Sequence, residues 1–153
     1  MDAATPDEQL EAFIQKYTPE IGAFARDALA RMRARLPGAV RMVYDNYNAL
    51  VIGFGPNERP SDAIFSLVMF PRYVSVCFLQ GAGLPDPDRL LQGGGSVVRH
   101  VRLSAPDDLQ SAPIEGLIAT ALAHARVPMP ATGEGRLVIR SVSAKQRPRR
   151  PAP

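Results

Sequence analysis

The chain has 153 residues, 46% of them hydrophobic, which is enough for one domain with a buried core. The single cysteine excludes an internal disulfide framework, and one cysteine with two histidines argues against a zinc-finger-type site. No apolar run approaches the ~18 residues of a membrane helix, so we expect a cytoplasmic protein without membrane association. The net charge of +3 is uneven, because the 135 residues before Arg136 carry 12 basic and 15 acidic groups whereas all six charged residues from Arg136 onward are basic.

Two helices are predicted near the N-terminus. Thr5-Pro6-Asp7-Glu8 is a capping box with proline at the first helical position, and Thr18-Pro19-Glu20 repeats the cap and the proline. Pro37-Gly38 marks the end of the second helix. Apolar residues at helical spacing define the buried stripes, which are Leu10, Phe13, Ile14 and Tyr17 in the first helix and Ile21, Phe24, Ala28, Leu29 and Met32 in the second.

Strand patterns follow the helices in the segments AVRMVY, ALVIGF, DAIFSLVMF, YVSVCFL and VVRHVRL. The short polar segments between them, DNYN and Pro71-Arg72, indicate hairpins. A helix starting at Ser111-Ala112-Pro113 and a late strand, RLVIRSVS, come last. The predicted fold class is α+β, a two-layer sandwich with an antiparallel sheet of about five to six strands flanked by N-terminal helices and a C-terminal helix.

The C-terminal end differs in composition from the rest. We predict one domain over residues 1–143 and a basic, Pro-rich tail over residues 144–153. The tail lacks large apolar groups, so it should be disordered, and deleting residues 145–153 should leave thermal stability unchanged. A nucleic acid would bind this tail only weakly and in a salt-dependent way.

Several segments resemble a known bacterial family. VYDNYNALVIGFG, SDAIFSLVMFPRYVSVCFLQGAGLPDP and LLQGGGSVVRHVRL, within about residues 8 to 125, are similar to the YdhG-like family of unknown function, which includes a frataxin-like protein regarded as an iron chaperone. The resemblance implies a helix-flanked antiparallel sheet and raises iron as a ligand. Better-known members often carry Tyr-Gly-Met-Pro where this chain has Tyr44-Asp45-Asn46-Tyr47, so a ligand role known for one branch need not transfer.

The DNYN segment is the first candidate site. Asp45, Asn46 and Asn48 are poor strand residues, and buried without partners such groups cost roughly 2–7 kcal/mol each. They therefore predict a chain reversal, which is either a plain hairpin turn or the polar rim of a pocket with Tyr44 and Tyr47 as walls. At a rim, the substitution Asp45→Ala should cost about 1 kcal/mol or less.

The second candidate site follows the Gly-rich loop. Gly94 lies in a GGGS segment whose backbone N–H groups could cradle an anion together with Arg99, although a flexible connection explains the glycines equally. His100 would need carboxylates nearby to act as a ligand, and Asp45 is the one we name. The candidate ligand-binding residues are Tyr44, Asp45, Asn46, Tyr47, Asn48, Gly94, Arg99 and His100.

No motif in the sequence assigns a reaction. GxSxG, HExxH, GxGxxG and CxxC are all missing, and Cys77 lies among apolar residues as a small hydrophobe would. We therefore expect a non-catalytic domain that binds a small ligand, an anion or a metal. The alternatives are an enzyme of unassigned chemistry in the same pocket, or an adaptor whose basic tail contacts an anionic partner. Iron should bind weakly, because the first two helices carry few acids and several arginines.

Overall fold

A computed structural model of the chain describes residues 3–152. Met1, Asp2 and Pro153 lie outside the described residues, and with them the outer ends of the predicted domain and tail. The three helices are α1 (Pro6–Ile14), α2 (Pro19–Arg35) and α3 (Ala112–His124). The six strands are β1 (Val40–Asp45), β2 (Leu50–Gly55), β3 (Phe65–Met69), β4 (Val74–Phe78), β5 (Arg99–Arg102) and β6 (Leu137–Val142).

The helices start where the capping residues predict. The Thr5 hydroxyl accepts a hydrogen bond from the Glu8 N–H at 3.1 Å, and the Glu8 carboxylate accepts one from the Thr5 N–H at 3.2 Å. This reciprocal pair satisfies two backbone donors that the first turn of a helix leaves without partners. At the start of α2, the Thr18 hydroxyl accepts from the Ile21 N–H at 3.3 Å.

The sheet is mixed, with strand order β5-β4-β3-β2-β1-β6. The first five strands form successive antiparallel pairs, as the hairpin spacings predict, and Phe70 N–H donates to Tyr73 C=O across the turn at Pro71-Arg72. β6, in contrast, runs parallel to β1 at the opposite edge from β5. The chain between β5 and β6, which includes α3, is long enough for the crossover that a parallel pair requires. The α+β prediction is confirmed, with this one parallel pairing added.

The core lies on the face of the sheet that the helices cover. Val43, Ile52, Leu67 and Val76 are in register across four adjacent strands and are at most 1% exposed. They belong to one apolar cluster with residues of all three helices, such as Ile14, Met32 and Leu117. Alternation along each strand places neighbouring residues such as Tyr44 and Ser75 on the other face, which lies outside this cluster and which we call the open face, although Ser75 itself is only 2% exposed.

Candidate functional site

The DNYN segment forms the reversal between β1 and β2. β1 ends at Asp45 and β2 begins at Leu50, and the Asn46 N–H donates to Ala49 C=O at 3.0 Å. Asn46 and Asn48 are exposed at this turn, and Tyr47 keeps 44% of its surface in contact with solvent. The predicted chain reversal is therefore confirmed, and both asparagines avoid the apolar layer.

Asp45 is at the centre of a buried ionic cluster, not at the rim of a pocket. Its side chain is 0% exposed, and each oxygen accepts a hydrogen bond from a cation. Lys16 Nζ, in the turn after α1, donates to Oδ2 at 2.8 Å, and Arg149 donates to Oδ1 at 2.9 Å. The Arg149 side chain is itself only 3% exposed. Because both carboxylate oxygens are in use, Asp45 is occupied by the fold and does not present a free acid to a ligand.

The described part of the C-terminal tail, up to residue 152, packs against this turn, whereas the sequence predicted disorder over residues 144–153. The Arg147 N–H donates to Tyr47 C=O at 2.8 Å, and the Gln146 side chain donates to Asp45 C=O at 3.1 Å. Arg149 also donates to Asn46 C=O and Arg150 to Lys16 C=O. The composition of the tail did not reveal this packing, because the interactions that order it are ionic and backbone hydrogen bonds instead of apolar burial.

Electrostatics favour the ionised form of the Asp45 carboxyl. Burial raises the pKa of Asp45, but hydrogen bonds from Lys16, Gln146 and Arg149 outweigh burial and the net pKa lies below its ordinary value of 3.8. Tyr17 packs beside this cluster, with its ring centroid 5.9 Å from the Arg149 guanidinium. Its hydroxyl donates to Met69 C=O at 2.9 Å and accepts from the Leu50 N–H at 3.1 Å, so the turn after α1, the strands β2 and β3 and the tail meet at this tyrosine.

The two tyrosines of the candidate site do not line one concavity with Asp45. Tyr44 lies on the open face of the sheet, where its hydroxyl is 4.0 Å from Met42 Sδ. Tyr47 projects from the turn and is covered on one side by Arg147, whose guanidinium carbon is 5.7 Å from the ring centroid. The turn is therefore better described as a point of attachment for the tail than as a pocket.

Arg99 and His100 are at the opposite edge of the sheet. Three strands separate β5 from β1, which at about 4.8 Å per strand places Arg99 and His100 no closer than about 19 Å to Asp45. Arg99 donates to Val98 C=O at 2.8 Å and to Gly95 C=O at 2.5 Å, within its own loop. A Cβ atom on Gly94 would meet nothing within 4 Å. The structure thus splits the predicted set into two distant groups and does not bring His100 and Asp45 together.

A cleft that the sequence did not indicate lies beside α3, and we name it the α3 cleft. Its volume is about 660 Å³, and its walls come from the end of α3, from the loop before β3, from residues 80–84 after β4 and from residues 96–97 before β5. Apolar side chains form much of the lining, and polar groups lie around it. The lining residues used below are Asp62, Ile64, Phe78, Gly83, Leu84 and His124.

Asp62 is the polar residue best placed in this cleft. Its side chain is 4% exposed and is contacted by Asn57 Nδ2 at 3.1 Å, Arg126 at 3.2 Å and Arg59 at 3.8 Å. The hydrogen bond from Asn57 is the largest cause of a lowered pKa of Asp62, and the two arginines act in the same direction. The nearest sequence signal is Arg59-Pro60-Ser61-Asp62, in which the proline starts a 3₁₀ turn at Pro60–Asp62.

The remaining chemical groups are dispersed. Within residues 3–152 no group of three or more His, Cys, Asp or Glu side chains is arranged to hold a metal ion. Cys77 is half-buried on the open face, and burial raises the pKa of its thiol. In the same described part of the chain, no helix is both long and apolar enough to cross a membrane.

Comparisons with protein-family models, with curated proteins and with solved structures found no match to this chain.

Proposed function

We propose that this chain is a non-catalytic binding domain for a small organic molecule, which it holds in the α3 cleft. The observation that carries the proposal is the combination of an apolar lining with a buried, charged Asp62 at the wall of a cavity of about 660 Å³. Ligand sites commonly combine a mostly apolar surface with a few polar groups that orient the ligand.

The lining indicates a flat, largely apolar ligand with one or two hydrogen-bonding groups. Phe78 and Ile64 are almost fully buried beneath the cleft, whereas Leu84 is half-buried at its wall. The Asp62 carboxylate is held by Asn57 and Arg126, and it fixes the Arg126 guanidinium at the rim of the cleft. The exposed side chains of Arg126 and His124 offer hydrogen-bond donors there. A substituted aromatic ring is the simplest chemical class that matches these groups.

The resemblance to the YdhG-like family is compatible with a binding role, since most members of that family have no assigned activity. The iron-binding role of its frataxin-like member stays a prediction for this chain. The alternatives of an enzyme or a tail-mediated adaptor remain second to the α3 cleft, because their proposed residues are either separated across the sheet or packed against Asp45.

The test is a titration with indole and with benzamide, each an aromatic ring with one hydrogen-bonding group, followed by methyl and amide chemical shifts. We expect saturable shifts at Ile64 and Leu84. The variant Gly83→Trp should abolish them, because a Cβ atom on Gly83 meets nothing within 4 Å and the indole side chain would occupy the mouth of the cleft.

The matched control is Gly94→Trp. Gly94 is equally open around its Cβ position but does not line the cleft, so this variant should bind both probes as the unmodified chain does. No shift at the cleft residues with either probe, or equal shifts in the Gly83→Trp variant, would contradict the proposal.

A further inference from the structure

A second concavity, the α1–α2 groove, is lined by residues of α1, α2, β1 and β2. Leu10 and Ile14 of α1 form one wall, Leu29 and Ala30 of α2 form the other, and Ile52 of β2 contributes to the floor. The groove has a volume of about 860 Å³ and extends toward Gly133 and Glu134. Because its lining joins these apolar side chains to charged ones such as Arg33, Arg41 and Asp7, the groove suits an alkyl chain with a charged end.

Arg41 is the arginine of this groove that has no carboxylate partner among residues 3–152. It lies on β1, on the same face as Val43, and is half-buried. Its side chain donates to Gly135 C=O at 3.3 Å, and among residues 3–152 no carboxylate oxygen lies within 4 Å of it. A guanidinium has five N–H donors, so most of the hydrogen-bonding capacity of Arg41 is free.

The arginines of α2 show the contrast. Arg26 is bonded to Glu11 at 2.6 Å, Arg31 to Asp27 at 2.9 Å and Arg35 to Glu115 at 2.9 Å. Arg33 has a longer contact with Glu134 at 3.3 Å, in a pair whose side chains are 49% and 85% exposed. An exposed pair of this kind contributes little to stability, so Arg33 is available to a competing anion at small cost.

The surroundings of Arg41 are on balance unfavourable to its charge, although Asp7, Glu11 and Glu134 also line the groove. Burial lowers the pKa of Arg41, and the charge of Arg33 lowers it further, while the more weakly acting Asp7 and Glu134 oppose this. An anion that enters the groove stabilises the charged form of Arg41, because it pairs with the guanidinium and offsets the repulsion from Arg33.

We propose that the α1–α2 groove binds a carboxylate with an unbranched alkyl chain of medium length. The acid group pairs with Arg41 and Arg33, and the chain lies along Leu10, Ile14 and Leu29. This site is separate from the α3 cleft, and the two share no lining residue.

The probe is octanoate, with 1-octanol as the neutral molecule of the same chain length, and binding is followed by calorimetry and by methyl shifts of Leu10 and Leu29. Octanoate should bind at least about tenfold more tightly than octanol, since a hydrogen bond to a charged group contributes roughly 1.5–3 kcal/mol. Arg41→Gln should remove this advantage and leave octanol binding unchanged. Arg72→Gln, a change to an exposed arginine outside the groove, should have no effect.

A second pair of variants decides the question if Arg41→Gln fails to fold. Ala30 and Ala23 are both exposed on α2, but only Ala30 lines the groove. Ala30→Trp should therefore abolish octanoate binding, whereas Ala23→Trp should preserve it.

Equal affinity for octanoate and octanol, or octanoate binding that survives in both Arg41→Gln and Ala30→Trp, would overturn the proposal. The Gly83→Trp variant, which blocks the α3 cleft, should bind octanoate as the unmodified chain does. The proposal for the α3 cleft and the proposal for the groove can therefore be contradicted independently of each other.

Discussion

The β1–β2 turn and the β5 edge of the sheet carry similar sequence signals but have opposite structures. At the β1–β2 turn, the polar residues after Tyr44 are covered by the tail, and Asp45 is fully buried and pairs with two cations. At the β5 edge, the glycine-rich loop before Arg99 stays exposed, and among residues 3–152 the Arg99 side chain bonds to carbonyls of that loop alone. The comparison teaches that polar residues at a turn become structural when a distant segment supplies their counter-charges, and stay solvent-facing when none does.

The largest expected effect is from Asp45→Ala. This change leaves Arg149 and Lys16 without their shared anion, and removing one partner of a buried pair typically costs about 3–5 kcal/mol. We expect a loss of about 3 kcal/mol in the free energy of unfolding, measured by urea denaturation, because the tail can move and rehydrate Arg149. Asn48→Ala, in the same turn but exposed, is the control and should cost about 0.5 kcal/mol or less.

The pH dependence of the stability lost in Asp45→Ala tests whether the loss is caused by charge. The pKa of Asp45 is lower in the folded chain than its ordinary value of 3.8, so the ionised carboxylate stabilises the fold above that pH. Its contribution is lost as the pH falls through the folded pKa. The gap in stability between the unmodified chain and Asp45→Ala should therefore be full at neutral pH and narrower at about pH 3. A gap of constant size would show that packing, not charge, is responsible.

Truncation after Ala144 should have the next largest effect. It removes Arg149 and the hydrogen bonds of Gln146 and Arg147 to the turn, while Lys16 and water still reach Asp45. We expect a loss of about 2 kcal/mol, which lowers the melting temperature by about 4–8 °C for a chain of this size. Arg149→Met in the full chain should reproduce most of it. An unchanged melting temperature in both variants would restore the interpretation of a disordered tail.

The smallest effect is expected at the β5 edge, from His100→Ala. His100 is partly exposed, and its backbone, not its side chain, forms the bridge with Gln92. The free energy of unfolding should change by about 0.5 kcal/mol or less in thermal or urea denaturation. Binding of indole and of octanoate should also be unchanged. A loss above 1 kcal/mol, well outside the range of about ±0.5 kcal/mol usual at surfaces, would mean that the β5 edge and the β1–β2 turn are more alike than the contacts indicate.

Much of the fold could be predicted because its signals are local. The Thr5 and Thr18 caps, the hairpin at Pro71-Arg72 and the reversal within Asp45–Asn48 each depend on residues a few positions apart. The candidate site was predicted only in part. Its turn was predicted correctly, but the eight residues are divided between the β1–β2 turn and the β5 edge, and Asp62 and Arg41 were not singled out.

The sequence by itself determined where the helices start, where the strands follow one another along the chain and which polar residues lie at turns. Capping, periodicity and turn chemistry act over a few residues, so these features are local. The tertiary structure decided which polar groups were buried. Asp45 meets Lys16 across 29 positions and Arg149 across 104. It also decided that β6 pairs in parallel with β1, and that Asp62 and Arg41 each line a concavity. These features depend on contacts between segments that are far apart in the chain. The residues next to each segment in the sequence carry no pattern that reflects the free energy of such a contact, so it could not be predicted from them.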